Sequence, residues 1–235
     1  MMKRSATLDL VPNDDAQNRL KTEVYTEPEA ARLLGVAAST LHYWLQGGER
    51  NGVVYSPVIR VAPVESRYVT WAEFVEAGWL RTYRQSKIPM KELRAFIEQL
   101  RAEFSIPYPL AHRKPLISGK SLVLAAQEAS GVSGAWRLVD DQLMLTYPGQ
   151  SFVNRLAWEG DVAAAWRPDP NPDSTVTISP DVRFGRPQVG GVSTRALFER
   201  AEEGATTDEV AEEFDLDRDD VRWALVYENA PKHAA

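Results

Sequence analysis

Residues 25–45 constrain the fold more than any other part of the chain, because they read as two short helices joined by a glycine turn. Thr26 can cap the first helix, and Glu29 three residues on completes a capping box. Pro28 is tolerated there, since first-turn N–H groups have no intrahelical acceptor. Ala30, Leu33 and Leu34 recur at helical spacing and supply a buried face. Gly35 gives the permissive backbone that a tight interhelical turn needs. The second helix carries Leu41, Trp44 and Leu45 inward and leaves Ser39, Thr40, His42, Tyr43 and Gln46 on or near the open face. The run therefore reads as a helix-turn-helix, although any helical hairpin with a glycine turn would share the pattern.

Residues 51–104 narrow the choice. Asn51-Gly52 is a turn signal, and residues 56–61 and 66–69 read as two strands of a wing presenting Arg60 and Arg67. Thr70 caps a further helix, again with a Glu three residues on, at Glu73. After Pro89, the apolar positions Met90, Leu93, Ile97, Leu100 and Phe104 advance in steps of three and four. That spacing fits a packing seam, too short for a free coiled coil, so it is expected to pack on the wing domain.

Residues 24–104 resemble the winged DNA-binding head of the MerR superfamily. The matching pieces are Leu33-Leu34-Gly35-Val36, Thr40-Leu41-His42-Tyr43-Trp44, Arg67-Tyr68-Val69-Thr70, and Leu80-Arg81 through Met90-Lys91-Glu92-Leu93. His42 stands where that family usually has an arginine. The chain has no cysteine, which excludes a thiolate metal sensor of the mercury-responsive kind and fits a cytoplasmic protein.

Charge distribution supports two faces with different partners. The whole chain carries −6, yet residues 21–120 hold 14 Lys/Arg against 10 Asp/Glu, and residues 199–235 hold 4 against 12. A basic head suits phosphate; an acidic end suits something else. No apolar run reaches about 18 residues, so no membrane partner is expected.

Beyond the head, residues 115–124, 136–139 and 142–147 read as strands, with a weaker pair at 152–158 and 162–166. Trp136, Trp158 and Trp166 are expected to form the core of that small sheet. Three prolines within 168–174 can sustain neither a helix nor a central strand, which marks a linker. Short strands and glycine turns then lead into a helix near 194–203, a second at 208–214 capped by Thr206, and a third after Asp217. The expected fold is α+β and mainly α: an N-terminal winged helix-turn-helix, a small antiparallel β middle region, and a C-terminal three-helix, helix-turn-helix-like domain. The expected segments are a disordered leader (1–20), the head (21–106), the middle (107–167), the linker (168–174), the C-terminal domain (175–230) and a tail (231–235).

The phrase Ile178-Ser179-Pro180, Phe184-Gly185 and Pro187, followed by Thr194-Arg195 and by Glu203-Gly204 with Glu209-Val210-Ala211-Glu212-Glu213-Phe214, resembles a compact domain of bacterial antitoxins. With the head and β-rich middle before it, the chain resembles the large VapB-type antitoxins, over about residues 22–228. That resemblance implies a PIN-domain, VapC-type ribonuclease toxin as partner, and repression of the chain's own operon through operator DNA. On the DNA side, as a homodimer, Ser39, Thr40, His42, Tyr43 and Gln46 are the expected reading residues, with Arg60, Arg67, Arg32 and Lys21 on phosphates. On the toxin side, Glu202, Glu203, Glu212, Glu213, Asp219 and Asp220 would complement a positive groove. Arg183 or Arg186 could instead reach the toxin's metal-binding carboxylates.

A different class of function remains open: a standalone MerR-like transcription regulator whose β-rich middle binds a ligand. An enzyme is not expected. The only histidines, His42, His112 and His233, sit in separate contexts, and the sequence shows no nucleophile–base set, metal-ligand spacing or phosphate-binding glycine loop. No cofactor or metal is expected.

Overall fold

The computed structural model describes residues 14–112, 136–139, 142–145 and 152–230. Helix α1 (Asp14–Lys21) leads into strand β1 (Glu23–Thr26), α2 (Glu27–Leu34) and α3 (Ala38–Gln46). The hairpin β2 (Gly48–Arg50) and β3 (Val53–Tyr55) comes next, then β4 (Tyr68–Thr70), α4 (Trp71–Gln85) and α5 (Met90–Phe104). The capping signals work as the spacing predicts. Glu29 accepts from the Thr26 N–H at 2.9 Å, and Glu73 from the Thr70 N–H at 2.9 Å. Gly35 ends α2 in the left-handed region, at φ 61°, which turns the chain into α3 without a Cβ penalty. Strand β4 pairs antiparallel with β1, tying the start of the head to the cap of α4.

One core joins the head to residues far along the chain. Helix α4 is buried on nearly every side, and Trp71, Phe74, Trp79 and Tyr83 are all within 1% of complete burial. Hairpin β7 (Leu156–Glu159) and β8 (Val162–Trp166) lies against it. The Trp71 indole N–H donates to the Ala163 carbonyl at 2.7 Å, so the largest side chain of the core keeps its polar handle satisfied. Phe152 and Trp166 pack against Phe74 and Trp79, with Trp166 edge-on to Phe74 and Phe152 tilted to Trp79. Ile178 exchanges both backbone hydrogen bonds with Trp166 and lies in the same core. The seam of α5 is used within the head: Leu93, Ile97 and Leu100 are buried, with Met90 and Phe104 packed beside them.

The structure departs from the sequence expectations in four places. Residues 14–20, expected within a disordered leader, form α1 together with Lys21, because Ala16 and Leu20 one turn apart bury against α4 and β8. The wing lies earlier than expected: the hairpin is β2–β3, with Asn51 (φ 52°) and Gly52 (φ 75°) as its two-residue turn. Residues 56–61 form no strand, and 68–70 pair with β1 instead. The middle strands form separate hairpins among the described residues, β5 (Trp136–Val139) with β6 (Gln142–Leu145), and β7 with β8. Trp166 is buried in the head's core and Trp158 is packed against it. Finally, Ser174 beyond the proline run is buried, and Asp169 and Asn171 each accept a backbone N–H two residues on, giving the run a defined path. The expected strands at 115–124, the Trp136 side chain and the tail at 231–235 lie outside the described residues.

The C-terminal module has its own smaller core. Hairpin β9 (Gln188–Val189) and β10 (Val192–Ser193) precedes α6 (Thr194–Glu202), α7 (Thr207–Phe214) and α8 (Arg218–Asn229). Val176, Val189, Leu197, Val210, Ala211, Val221 and Ala224 close that core. Side-chain contacts also fasten the module to the head: the Tyr25 hydroxyl donates to the Gly185 carbonyl, the Ser179 hydroxyl to the Ala164 carbonyl, and Arg19 pairs with Asp181 as well as with Glu159. Gly185 is needed there, since a Cβ would lie 2.7 Å from the Tyr25 oxygen.

Candidate nucleic-acid interface

Helix α3 is held from behind and open in front. Leu41, Trp44 and Leu45 are buried, and the Trp44 carbonyl accepts from the N–H groups of both Val58 and Ile59. Ser39 and His42 are exposed; Thr40 and Tyr43 are partly so. No side chain caps the helix at Ala37, whose carbonyl accepts from the Thr40 and Leu41 N–H groups. His42 Nδ1 lies 2.7 Å from the buried Glu27 carboxylate, an orientation that fixes the ring on the open face.

Gln46 serves the head rather than its surface. Its side-chain amide donates to the Val64 carbonyl at 2.9 Å and accepts from the Val64 N–H at 3.0 Å, pinning the loop before β4.

The two arginines expected on the wing separate completely. Arg67 is exposed, whereas Arg60 is 2% exposed and locked to Glu73. Its Nε and Nη2 reach the two Glu73 oxygens at 2.7 and 3.0 Å, and Nη2 also donates to the Tyr68 carbonyl at 2.8 Å. A guanidinium with its donors so engaged in the core has none to offer a phosphate. Arg60 is thus a structural residue.

The wing supplies a cation that sequence reasoning missed. Arg50, on β2, lies over the Tyr43 ring with Cζ 3.9 Å from its centroid. Arg94 approaches the rings of Tyr43 and Tyr55 and donates to the Tyr43 hydroxyl at 3.3 Å. A groove of about 460 Å³ runs between the start of α3 and α4, lined by Thr40, Tyr43, Arg50, Arg81 and Arg84. The available signal is the Asn51-Gly52 turn: the residues on either side of it have to be strands, which places Arg50 on the wing. Lys21 and Arg32 are both exposed, on α1 and α2.

On the C-terminal module, much of the acidic surface is paired internally. Arg200 pairs with Glu203 at 3.0 Å and Glu213 at 2.7 Å, and Arg222 with Asp219 at 3.0 Å. Glu202, Glu212 and Asp220 have no ion pair among the described residues. Arg183 is tied to the Gly191 carbonyl at 2.8 Å, while Arg186 is exposed. Arg183 and Phe184 both adopt left-handed backbone, at φ 51° and 53°, and Phe184 is 86% exposed. Two successive non-glycine residues in that region are costly, and they project the ring into solvent.

Among the described residues, no group of three His, Cys, Asp or Glu is placed to hold a metal ion, and no helix is long and apolar enough to cross a membrane.

Comparison with known proteins extends over nearly the whole chain. Residues 176–227 match the family described as "Protein of unknown function (DUF433)", which spans the C-terminal module. A protein of Mycobacterium tuberculosis named "Putative antitoxin VapB45" is 25% identical over 232 residues, covering 91% of this chain and 97% of that one. This match and the DUF433 domain agree with a VapB-like antitoxin. The X-ray crystal structure of Rv2018 from Mycobacterium tuberculosis superposes with a TM-score of 0.72 over 88% of this chain and 99% of that chain. At 23% identity that likeness establishes the fold. "Uncharacterized protein Rv2308" of the same organism is 30% identical over 224 residues, covering 88% of this chain and 91% of its own length. None of these relatives is named as an enzyme. With this identity sustained over nine-tenths of that relative, the chain belongs to the family of Mycobacterium tuberculosis Rv2308.

Proposed function

We propose that the chain is the antitoxin of a type II toxin–antitoxin pair, which neutralises a PIN-domain ribonuclease toxin and, as a homodimer, represses its own operon through the head. The observation that carries this reading is the open face of α3 beside a cationic wing, on a chain that aligns nearly end to end with a relative named as an antitoxin. Ser39, Thr40, His42 and Tyr43 read base edges. Lys21, Arg32 and Arg67 contact phosphates, with Arg50 in the place that the sequence suggests for Arg60. The homodimer needs a surface other than the α5 seam, which is already buried within one subunit. On the toxin side, Glu202, Glu212 and Asp220 are the acids with charge to spare, and Arg186 is the available arginine.

Two measurements test this. Binding to the DNA upstream of the gene should weaken with salt, and the double variant Arg50→Ala/Arg67→Ala should reduce the slope of log K on log salt by about 2. An unchanged slope refutes the wing assignment. Co-expression with the adjacent reading frame should relieve its toxicity, and Glu202→Lys/Glu212→Lys should abolish the relief while DNA binding persists. Full protection by that variant refutes the acidic contact. Failure of the native chain to protect refutes the antitoxin reading itself. Cutting the chain after Ser174 is a poor substitute, because Ile178 belongs to the head's core.

A further inference from the structure

Three arginines from separate segments meet in the cleft between the head and the C-terminal module. Arg81 on α4, Arg155 before β7 and Arg167 after β8 line a cavity of about 1650 Å³, together with the proline run and the turn at 184–187. Two other cations drawn into the protein have carboxylate partners, Arg19 with Asp181 and Glu159 and Arg60 with Glu73, while Arg94 is taken up by the Ser56 and Pro57 carbonyls. None of the three cleft arginines has an ion pair within 4 Å among the described residues, and Asp169 acts on Arg155 only from farther off.

Their donors are also largely unused. Arg81 makes no side-chain hydrogen bond among the described residues, and its Nε is buried without an acceptor. The Arg167 Nε is in the same condition, while its two terminal nitrogens reach only the Pro172 and Asn154 carbonyls, both at 3.3 Å. Arg155 donates to the Pro168 carbonyl at 2.9 Å. Burial first, and then the like charges of Arg81 and Arg167, pull the Arg155 guanidinium down to about 10. Such a cluster works against the stability of the empty protein. It is the arrangement a site needs when the missing partner is an oxyanion from outside.

We propose that this cleft is a binding site for a phosphorylated small molecule, with Arg81, Arg155 and Arg167 gripping its phosphate oxygens. Three converging guanidiniums call for more than one negative charge, which a phosphoryl group supplies and a single carboxylate does not. The cleft shares Gly35 and Arg81 with the groove beside α3 and also has Arg32 on its wall, but none of Ser39, Thr40, His42, Tyr43 and Arg67 lines it. A ligand there touches α4 of the head and, through Arg186 and Arg195 on the same wall, the C-terminal module. The proposal is independent of the antitoxin reading.

The test uses the full chain and inorganic pyrophosphate at constant ionic strength. Calorimetry should show one saturable site, and Tm should rise with pyrophosphate concentration. Arg155→Gln and Arg81→Gln should each weaken binding at least tenfold. Without pyrophosphate, Arg81→Gln should raise Tm, since it removes repulsion and breaks no bond; a merely structural arginine would lower it. Arg222→Gln, exposed and paired with Asp219 outside the cleft, should bind as the native chain does. The proposal is overturned if the native chain shows no saturable binding, or if Arg81→Gln binds pyrophosphate as well as native. It is overturned equally if the cleft variants lose affinity only for duplex DNA, which would make the cluster part of a DNA track.

Discussion

Replacing Arg60 should damage the fold and leave the character of DNA binding alone. Arg60 and Glu73 are 2% and 3% exposed, so neither charge has water to fall back on if the other is removed. Arg60→Met keeps much of the apolar stem and leaves the Glu73 carboxylate buried. Breaking a buried pair from one side costs about 3–5 kcal/mol. Glu73 retains the Thr70 N–H at 2.9 Å and the Tyr108 hydroxyl at 3.2 Å, which places the expected loss toward the lower end, about 3 kcal/mol. That is about a fifth to three fifths of the roughly 5–15 kcal/mol that holds a typical domain together. Urea unfolding of Arg60→Met, Glu73→Gln and the double variant forms a thermodynamic cycle. The double variant should recover about 1–3 kcal/mol relative to the sum of the singles. Arg67→Ala, on the surface, should stay within about 0.5 kcal/mol of native. If Arg60→Met unfolds like native while the salt slope of DNA binding falls by about 1, the burial argument fails and Arg60 is a phosphate contact after all.

Single sites give further expected outcomes. Burial pushes the Glu76 carboxyl up to about 8, against the opposing pull of Arg101 and the Leu110 N–H. The folded state therefore holds this proton more tightly than the unfolded state does. Its contribution to stability is complete below about pH 4.5 and is lost as pH rises toward 8. Glu76→Gln should flatten that decline in unfolding measured from pH 5 to 8; a parallel decline in the variant would assign it elsewhere. Gly47 has φ 74° and ψ −153°, and a Cβ there would lie 2.2 Å from the Tyr55 carbonyl oxygen. Gly47→Ala should cost at least about 3 kcal/mol and loosen the wing, read as increased amide exchange across β2–β3. Thr206→Ala removes the acceptor that caps α7 through the Glu209 N–H and should cost about 1 kcal/mol in the C-terminal module; no change in its thermal unfolding would refute the cap.

The parts of this fold legible in the sequence are those set by neighbours along the chain. Capping boxes at Thr26, Thr70 and Thr206 and the turn at Gly35 are three- or four-residue devices, and each helix start they imply is present. The wing is hard to place because β2 and β3 are three residues each and exposed on both faces, so no alternation of apolar and polar residues marks them. Arg60 reads as a surface cation because sequence gives charge and not burial; its partner lies 13 positions on, inside α4. Helix α1 offers only Ala16 and Leu20 as a buried pair in eight residues, too few to stand out. The arginines of the cleft, at 81, 155 and 167, come together only after β7 and β8 have packed on α4.

The reach of the first core along the chain has a consequence for synthesis. The Trp71 indole finds its acceptor 92 residues downstream, and Tyr25 finds Gly185 160 residues downstream. At about 5–20 residues per second on the ribosome, Trp71 waits roughly 5–18 s for Ala163 to emerge. During that interval α4 has one face without its cover, a state open to proteases and to chaperones. A message broken before codon 178 would yield a head that never acquires its last core residue. Completion of the head is thereby tied to translation well beyond the head itself, as far as Ile178, a proofreading of length that needs no separate factor.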